Sequence, residues 1–102
     1  MVISDEAIGE GPEVKVGDTI DVNYVAVLAA NAQPVDKSYT PFTFTVGEGK
    51  VIEGWDRGIV GMKVGGRRVL LIPPDLAYGD RVVGPIPANS HLAFTVELLA
   101  IR

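Results

Sequence analysis

The chain has 102 residues, 47% of them hydrophobic and 22% charged, which is typical of one small globular domain. The net charge of -4 and the lack of a basic stripe argue against nucleic-acid binding. The absence of cysteine excludes disulfides, cysteine nucleophiles and cysteine-based metal sites. No segment reaches the roughly 20 apolar residues of a membrane span. We therefore expect one domain over residues 1–102 in the cytoplasm, with an exported domain of a longer precursor as the alternative.

The first half of the chain predicts β-strands. A short strand is expected near Val2–Ser4. A long strand is expected over Thr19–Ala29, where every second residue is apolar and these residues share one face. In Phe42–Val46, aromatic and aliphatic residues alternate with threonine, which predicts a half-buried strand that ends at Gly47.

The middle of the chain changes to a helical period. Four apolar residues are spaced by three, four and three positions, as on one face of a helix: Ile52, Trp55, Ile59 and Met62. Glycines in the same segment each disfavour a helix by about 1 kcal/mol relative to alanine. The predicted helix must therefore be stabilised by packing against a sheet.

Two more strands follow the helix. Arg67–Ile72 ends at Pro73–Pro74, because proline lacks the N–H that a strand ladder needs. His91–Ile101 again has apolar residues at alternate positions. The pattern predicts an α+β fold, an antiparallel sheet of five or six strands with one short α-helix.

Reactive constellations are missing from the sequence. A catalytic triad at His91 is disfavoured because its neighbour Ser90 would point to the opposite face of a strand. The segment Gly47–Lys50 is better interpreted as a turn than as a phosphate loop, since Val51 replaces the required Ser or Thr. No cluster of metal ligands is visible, so we expect neither a metal nor a cofactor.

Aromatic residues remain as candidates for a site. Six of them are predicted to face the sheet interior or the helix: Tyr24, Phe42, Phe44, Trp55, Tyr78 and Phe94. Large apolar side chains usually form the core of a domain, and that alternative stays open.

Eight stretches resemble, in order and spacing, the FKBP family of prolyl isomerases. They are Val16–Asp18, Pro41–Gly47, Val51–Gly58, Gly61–Gly66, Ile72–Pro74, Ala77–Gly79, Ile86–Asn89 and Phe94–Leu99. The resemblance extends from Glu13 to the C-terminus. It implies a sheet wrapped around the short helix and peptidyl-prolyl cis-trans isomerase activity that assists protein folding.

The resemblance also implies roles for individual residues. Trp55 would form the floor of a pocket, while the Tyr78 hydroxyl and the Ile52 backbone N–H would donate to the substrate. Asp36 would be the carboxylate beside the pocket. The implied substrate-binding residues are Tyr24, Val35, Phe42, Val51, Ile86 and Phe94.

The implied partners are proline-containing peptides or proteins, and macrolides such as tacrolimus or rapamycin. The resemblance implies no metal or cofactor, and we expect a monomer that binds neither nucleic acid nor membrane. Two departures from the family pattern keep alternatives open: Val35 replaces an aromatic residue, and the loop Gly79–Pro85 is altered. The alternatives are a binding module with weak turnover, and a chaperone or scaffold domain whose aromatic residues serve only as core.

Overall fold

The computed structural model describes residues 1–102 and contains six strands, one α-helix and one turn of 3-10 helix. The strands are β1 (Val2–Ala7), β2 (Thr19–Leu28), β3 (Pro34–Lys37), β4 (Phe42–Thr45), β5 (Arg67–Ile72) and β6 (Leu92–Ile101). Helix α1 is Glu53–Gly58, and the 3-10 turn is Pro74–Leu76. The predicted α+β fold, an antiparallel sheet of five or six strands with one short helix, is confirmed, and the sheet has six strands.

The sheet is built around its two longest strands. The strand order is β1-β5-β6-β2-β3, and β4 pairs separately with the first half of β2. In the central pair, Tyr24 lies opposite Val96 and Ala26 lies opposite Phe94. Because residues two apart on a strand share a face, this register places Tyr24 and Phe94 on the same side of the sheet.

Two elements differ from the sequence-based expectation. Strand β3 was not predicted, because its four residues begin with proline and include two charges, and such a segment is tolerated only at a sheet edge. The helix ends at Gly58, so Ile59 and Met62 lie beyond it, although both are buried as predicted. The chain leaves the helix before Gly61, whose φ of 92° is incompatible with a right-handed helix.

Helix α1 lies against β5 at the distance that its glycines allow. An added Cβ at Gly54 would be 2.6 Å from the Ile72 side chain, and one at Gly58 would be 2.8 Å from Leu70. The glycines that weaken the isolated helix therefore permit its close packing on the sheet. Sixteen buried apolar residues form the core, and no polar or charged residue is buried with them.

Arg68 holds the C-terminal end of α1 against the sheet. Its Nη1 donates to the carbonyl oxygens of Gly58 and Val60, at 2.8 and 3.0 Å. Its Nε donates to Oδ1 of Asp5 on β1, at 2.6 Å, and its side chain is only 11% exposed. The last carbonyls of a helix lack intrahelical donors, so this arginine satisfies groups that would otherwise need water.

No helix in the structure has the length and apolar character to cross a membrane.

Candidate functional site

An aromatic cavity of about 500 Å³ opens between α1, the inner face of the sheet and the segment after the 3-10 turn. Twelve residues line it: Tyr24, Asp36, Phe42, Lys50, Val51, Ile52, Glu53, Trp55, Ala77, Tyr78, Arg81 and Phe94. Its volume lies in the range of small-molecule and peptide side-chain sites, about 300–1,000 Å³.

Trp55 is the centre of the aromatic cluster. Its ring lies 5.0 Å from Tyr24 and 5.4 Å from Phe94, both edge to face, and 6.0 Å from Phe42. A fourth ring, Phe44, lies 5.5 Å away but does not line the cavity. Trp55 is 4% exposed, and its buried Nε1–H has no hydrogen-bond partner. Trp55 is thus both a core residue and the floor of the cavity, so the core and site interpretations of the aromatic residues both apply to it.

The aromatic rings converge because the strands present them in register. Phe42 on β4 lies opposite Val22, and Tyr24 is two residues further along β2 on the same face. The Tyr24 and Phe42 rings are 6.2 Å apart, edge to face. Edge-to-face pairs at this separation contribute about 0.5–1.5 kcal/mol beyond the area that they bury. The sheet therefore supplies one rigid wall of the cavity.

A hydrogen bond joins two polar groups on that wall. The Tyr24 hydroxyl donates to Oδ2 of Asp36 at 3.1 Å, while Oδ1 of Asp36 accepts from the backbone N–H of Lys37 at 2.8 Å. Burial, followed by this hydrogen bond and the charge of Asp36, raises the pKa of Tyr24 to about 12. Burial, and to a lesser degree Asp36, also raises the pKa of Tyr78. Both hydroxyls consequently remain protonated at neutral pH.

Two hydrogen-bond donors on the cavity wall have no acceptor within the protein. The Tyr78 hydroxyl donates to no protein group. The Ile52 N–H also makes no hydrogen bond, because Ile52 is the N-cap residue of α1, where only its carbonyl oxygen joins the helix. That oxygen accepts from the N–H groups of Trp55 and Asp56, at 3.0 and 3.4 Å. Both donors are available to a ligand in the aromatic cavity.

The turn before α1 is held by Asp56. Its Oδ1 accepts from the N–H of Gly47 at 2.8 Å, and its Oδ2 accepts from the N–H of Gly49 at 3.0 Å. Both glycines have positive φ, which residues with a side chain rarely adopt. The segment forms the predicted turn, two of its N–H groups are already engaged by Asp56, and it leads directly to Val51 and Ile52.

Most of the predicted site residues meet at this cavity. All four residues of the implied catalytic set line it, together with four of the implied substrate-binding residues: Asp36, Ile52, Trp55, Tyr78, Tyr24, Phe42, Val51 and Phe94. Sequence reasoning missed Lys50, Glu53, Ala77 and Arg81. Three of these adjoin a predicted residue in the sequence, which is the signal that would have found them.

Val35 and Ile86 lie outside the lining, contrary to the expectation for both. Val35 precedes Asp36 at the point where the register of the β2–β3 pairing shifts, so regular alternation does not set its direction. It is half-buried against the core and lines a smaller hollow beside that strand. Ile86 is 5% exposed and packs into the core, because a pair of backbone hydrogen bonds with Val83 closes the loop around it.

Comparisons with known proteins show the family to which the chain is related. The family model described as FKBP-type peptidyl-prolyl cis-trans isomerase matches residues 11–99. FK506-binding protein 1A of Neurospora crassa is 50% identical over 99 residues, which cover 92% of this chain and 82% of the relative. FK506-binding protein 4 of Aspergillus fumigatus is 48% identical over 101 residues, which cover 98% of this chain and 21% of the relative.

The crystal structure of AtFKBP13 superposes with a TM-score of 0.90 at 40% identity, covering 98% of this chain and 91% of that one. This chain spans about a fifth of the length of the Aspergillus fumigatus relative. The family match over residues 11–99 includes β2 to β5 and β6 up to Leu99, and it includes all residues that line the aromatic cavity. The chain belongs to the FKBP-type peptidyl-prolyl cis-trans isomerase family.

Proposed function

We propose that this domain catalyses cis-trans isomerisation of X-Pro peptide bonds, with the proline ring bound over Trp55. The observation that supports this most directly is the combination of an aromatic floor with two unengaged donors, the Tyr78 hydroxyl and the Ile52 N–H. The proposed substrates are proline-containing peptides and proteins. The monomeric state and the cytoplasmic location stay predictions from the sequence.

The reaction requires no reactive side chain. Rotation about an X-Pro bond must break amide resonance, with a barrier of about 18–20 kcal/mol. Without a catalyst, rotation takes tens to hundreds of seconds at about 25 °C. Because no covalent bond is made or broken, a site for this reaction needs only to bind the twisted amide more tightly than the planar one.

The aromatic cavity is suited to such differential binding. A planar amide has a large dipole that water solvates well, and twisting the bond removes most of that dipole. Transfer from water into a ring-lined cavity therefore disfavours the planar ground state more than the transition state. Each 1.36 kcal/mol of this difference accelerates rotation about tenfold.

The unengaged donors provide orientation. Hydrogen bonds from Tyr78 and Ile52 to substrate carbonyl groups hold one side of the prolyl bond while the other side rotates. Asp36 acts through Tyr24: its hydrogen bond fixes the orientation of a ring that forms the cavity wall. Val51, Phe42 and Phe94 complete the apolar enclosure of the proline ring.

The test is an NMR exchange experiment on an X-Pro peptide, with and without micromolar domain. We expect faster cis-trans exchange, and inhibition of that exchange by excess tacrolimus. A His91→Ala variant is the matched control, because His91 is exposed and does not line the aromatic cavity. No acceleration by a folded wild-type domain would refute the proposal.

A second candidate is a ligand-binding module with weak turnover. It is favoured by one observation: β3 contributes only Asp36 to the cavity lining, so that strand supplies no aromatic wall. Trp55 is the only tryptophan, so titration with tacrolimus reports binding through one fluorophore. Saturable quenching without acceleration of exchange would favour this candidate. Absence of both would leave the scaffold alternative.

A further inference from the structure

Four of the residues that line the aromatic cavity are charged, and their environments differ. Glu53 lies 3.4 Å from the Arg57 guanidinium, and Lys50 lies 3.4 Å from the Glu48 carboxylate. Asp36 accepts hydrogen bonds from Tyr24 and from the backbone of Lys37. The fourth, Arg81, is exposed and forms neither an ion pair nor a side-chain hydrogen bond within the protein.

The backbone beside Arg81 is held in place although its side chain is free. The Arg81 N–H donates to the carbonyl oxygen of Tyr78 at 3.3 Å. Gly79 is held on both sides, because its N–H donates to Pro74 O and its carbonyl oxygen accepts from Asn89 N–H, both at 2.8 Å. The backbone position of Arg81 is thus fixed, three residues after Tyr78, whose hydroxyl is available to a ligand.

We propose that Arg81 is a specificity residue that favours substrates with an Asp or Glu side chain next to the proline. This inference rests on the proposed function. A guanidinium presents planar N–H donors that bind a carboxylate in a bidentate manner, and Arg81 has no internal carboxylate to satisfy them. A substrate carboxylate supplies that partner.

The other charges of the protein do not by themselves favour acidic substrates, so a preference for them can be assigned to Arg81. The chain has a net charge of -4, so its overall field repels acidic peptides. Asp80, which precedes Arg81, does not line the cavity, and the two other nearby ion pairs are each internally neutral. Asp36 is the negative charge on the cavity wall that opposes Arg81. If the charge of Asp36 outweighed that of Arg81, substrates with a basic residue next to the proline would be favoured instead.

The experiment compares peptides with Glu, Gln or Lys directly before the proline, and a second set with the same residues directly after it. The readout is the ratio of kcat/KM for the Glu peptide to that for the Gln peptide, measured by NMR exchange. An exposed charge pair predicts a ratio of about two to five for the wild type at one of the two positions. Raising the salt concentration should lower this ratio towards one.

Arg81→Gln should bring the ratio to one, and Arg81→Glu should bring it below one. The matched control is Arg67→Gln, which changes the net charge equally but removes a cation that pairs with Glu6 on β1, outside the cavity lining. Arg67→Gln should keep the wild-type ratio. The inference is overturned if Arg81→Gln keeps that ratio, if Arg67→Gln lowers it equally, or if Lys peptides react fastest. Acceleration of the Gln peptides tests the proposed function separately, because it does not depend on Arg81's charge preference.

Discussion

The domain has two large hollows, and the larger one has fewer features of a site. The second hollow, of about 690 Å³, lies at the opposite end of β5 and β6 from Arg67 and is lined by Met1–Val2, Leu28–Ala30, Leu71–Pro73 and residues of the segment 87–92. It contains no Phe, Tyr or Trp side chain. The aromatic cavity is smaller, about 500 Å³, but five rings and two unengaged donors meet there. Volume alone therefore does not identify the functional site.

The two hollows also differ in how their walls are held. The floor of the aromatic cavity belongs to α1, whose end is bound by Arg68 and whose preceding turn is bound by Asp56. The second hollow is bordered by Met1 and Val2, which are 42% and 59% exposed. A site for differential binding needs groups that are in position before the substrate arrives, and only the aromatic cavity has them.

The largest expected effect is that of Trp55→Ala on stability. Truncation of a buried tryptophan costs about 3–5 kcal/mol of unfolding free energy, and Trp55 contacts four other rings. Urea denaturation followed by far-UV circular dichroism measures this loss, and isomerase activity should disappear as well. Val2→Ala in the second hollow is the control, with a change of at most about 0.5 kcal/mol. A loss below about 1 kcal/mol for Trp55→Ala would contradict the placement of Trp55 as the buried floor of the aromatic cavity.

Arg68→Met tests whether the cavity floor is held by hydrogen bonds. We expect a loss of about 2–3 kcal/mol in unfolding free energy, because two carbonyl oxygens lose a charged donor and Asp5 loses its partner. The neighbouring Arg67→Met removes an exposed ion pair with Glu6 and should cost at most about 1 kcal/mol. Equal losses in thermal unfolding for the two variants would show that the contacts of Arg68 with α1 are unimportant.

Tyr78→Phe removes one unengaged donor and leaves the ring in place. The value of one hydrogen bond predicts a decrease of about three- to tenfold in kcat/KM for isomerisation, with little change in stability. Ser90→Ala provides the comparison in the second hollow, where the serine hydroxyl already donates to Pro87 O at 2.7 Å. This variant should keep wild-type activity in the NMR exchange assay. Full activity of Tyr78→Phe would remove the hydroxyl from the proposed mechanism.

The raised pKa of Tyr24 predicts an alkaline loss of stability. An unfolded tyrosine ionises near 10.0, whereas the folded Tyr24 has a pKa of about 12. Between these values the unfolded state binds fewer protons than the folded state, so the contribution of Tyr24 decreases as pH rises through this window. The difference in unfolding free energy between wild type and Tyr24→Phe should therefore change from pH 10 upwards and be constant below it. A difference that varies between pH 7 and pH 9 would assign the effect to another group.

The smallest effect is expected for Val35→Phe. An aromatic residue at this position should change kcat/KM by less than about twofold, because a side chain away from the reacting groups has small effects. Val35 is half-buried against the core and lines the hollow beside β3, not the aromatic cavity. The NMR exchange assay that compares Val35→Phe with wild type is the check. A large gain would show that β3 can turn this side chain into the aromatic cavity.

Local patterns in the sequence were sufficient for the main strands. Alternation of apolar residues predicted β2 and β6 to within one residue at each end, because a half-buried strand repeats its burial every second position. The proline pair at 73–74 predicted where β5 ends. The order and spacing of the motifs indicated the family, and with it eight of the residues that line the cavity. For these elements the information lies within a few neighbouring residues.

Other features depended on contacts between distant segments. The sequence determined the family, the central strands and the aromatic inventory of the site. Only the tertiary structure decided that Asp36 rather than Val35 faces the cavity, that α1 ends at Gly58, and that Arg81 is left without a partner. The physical reason is that an edge strand, a glycine-rich helix and a free charge are each defined by what packs beside them, and that neighbour lies far away along the chain.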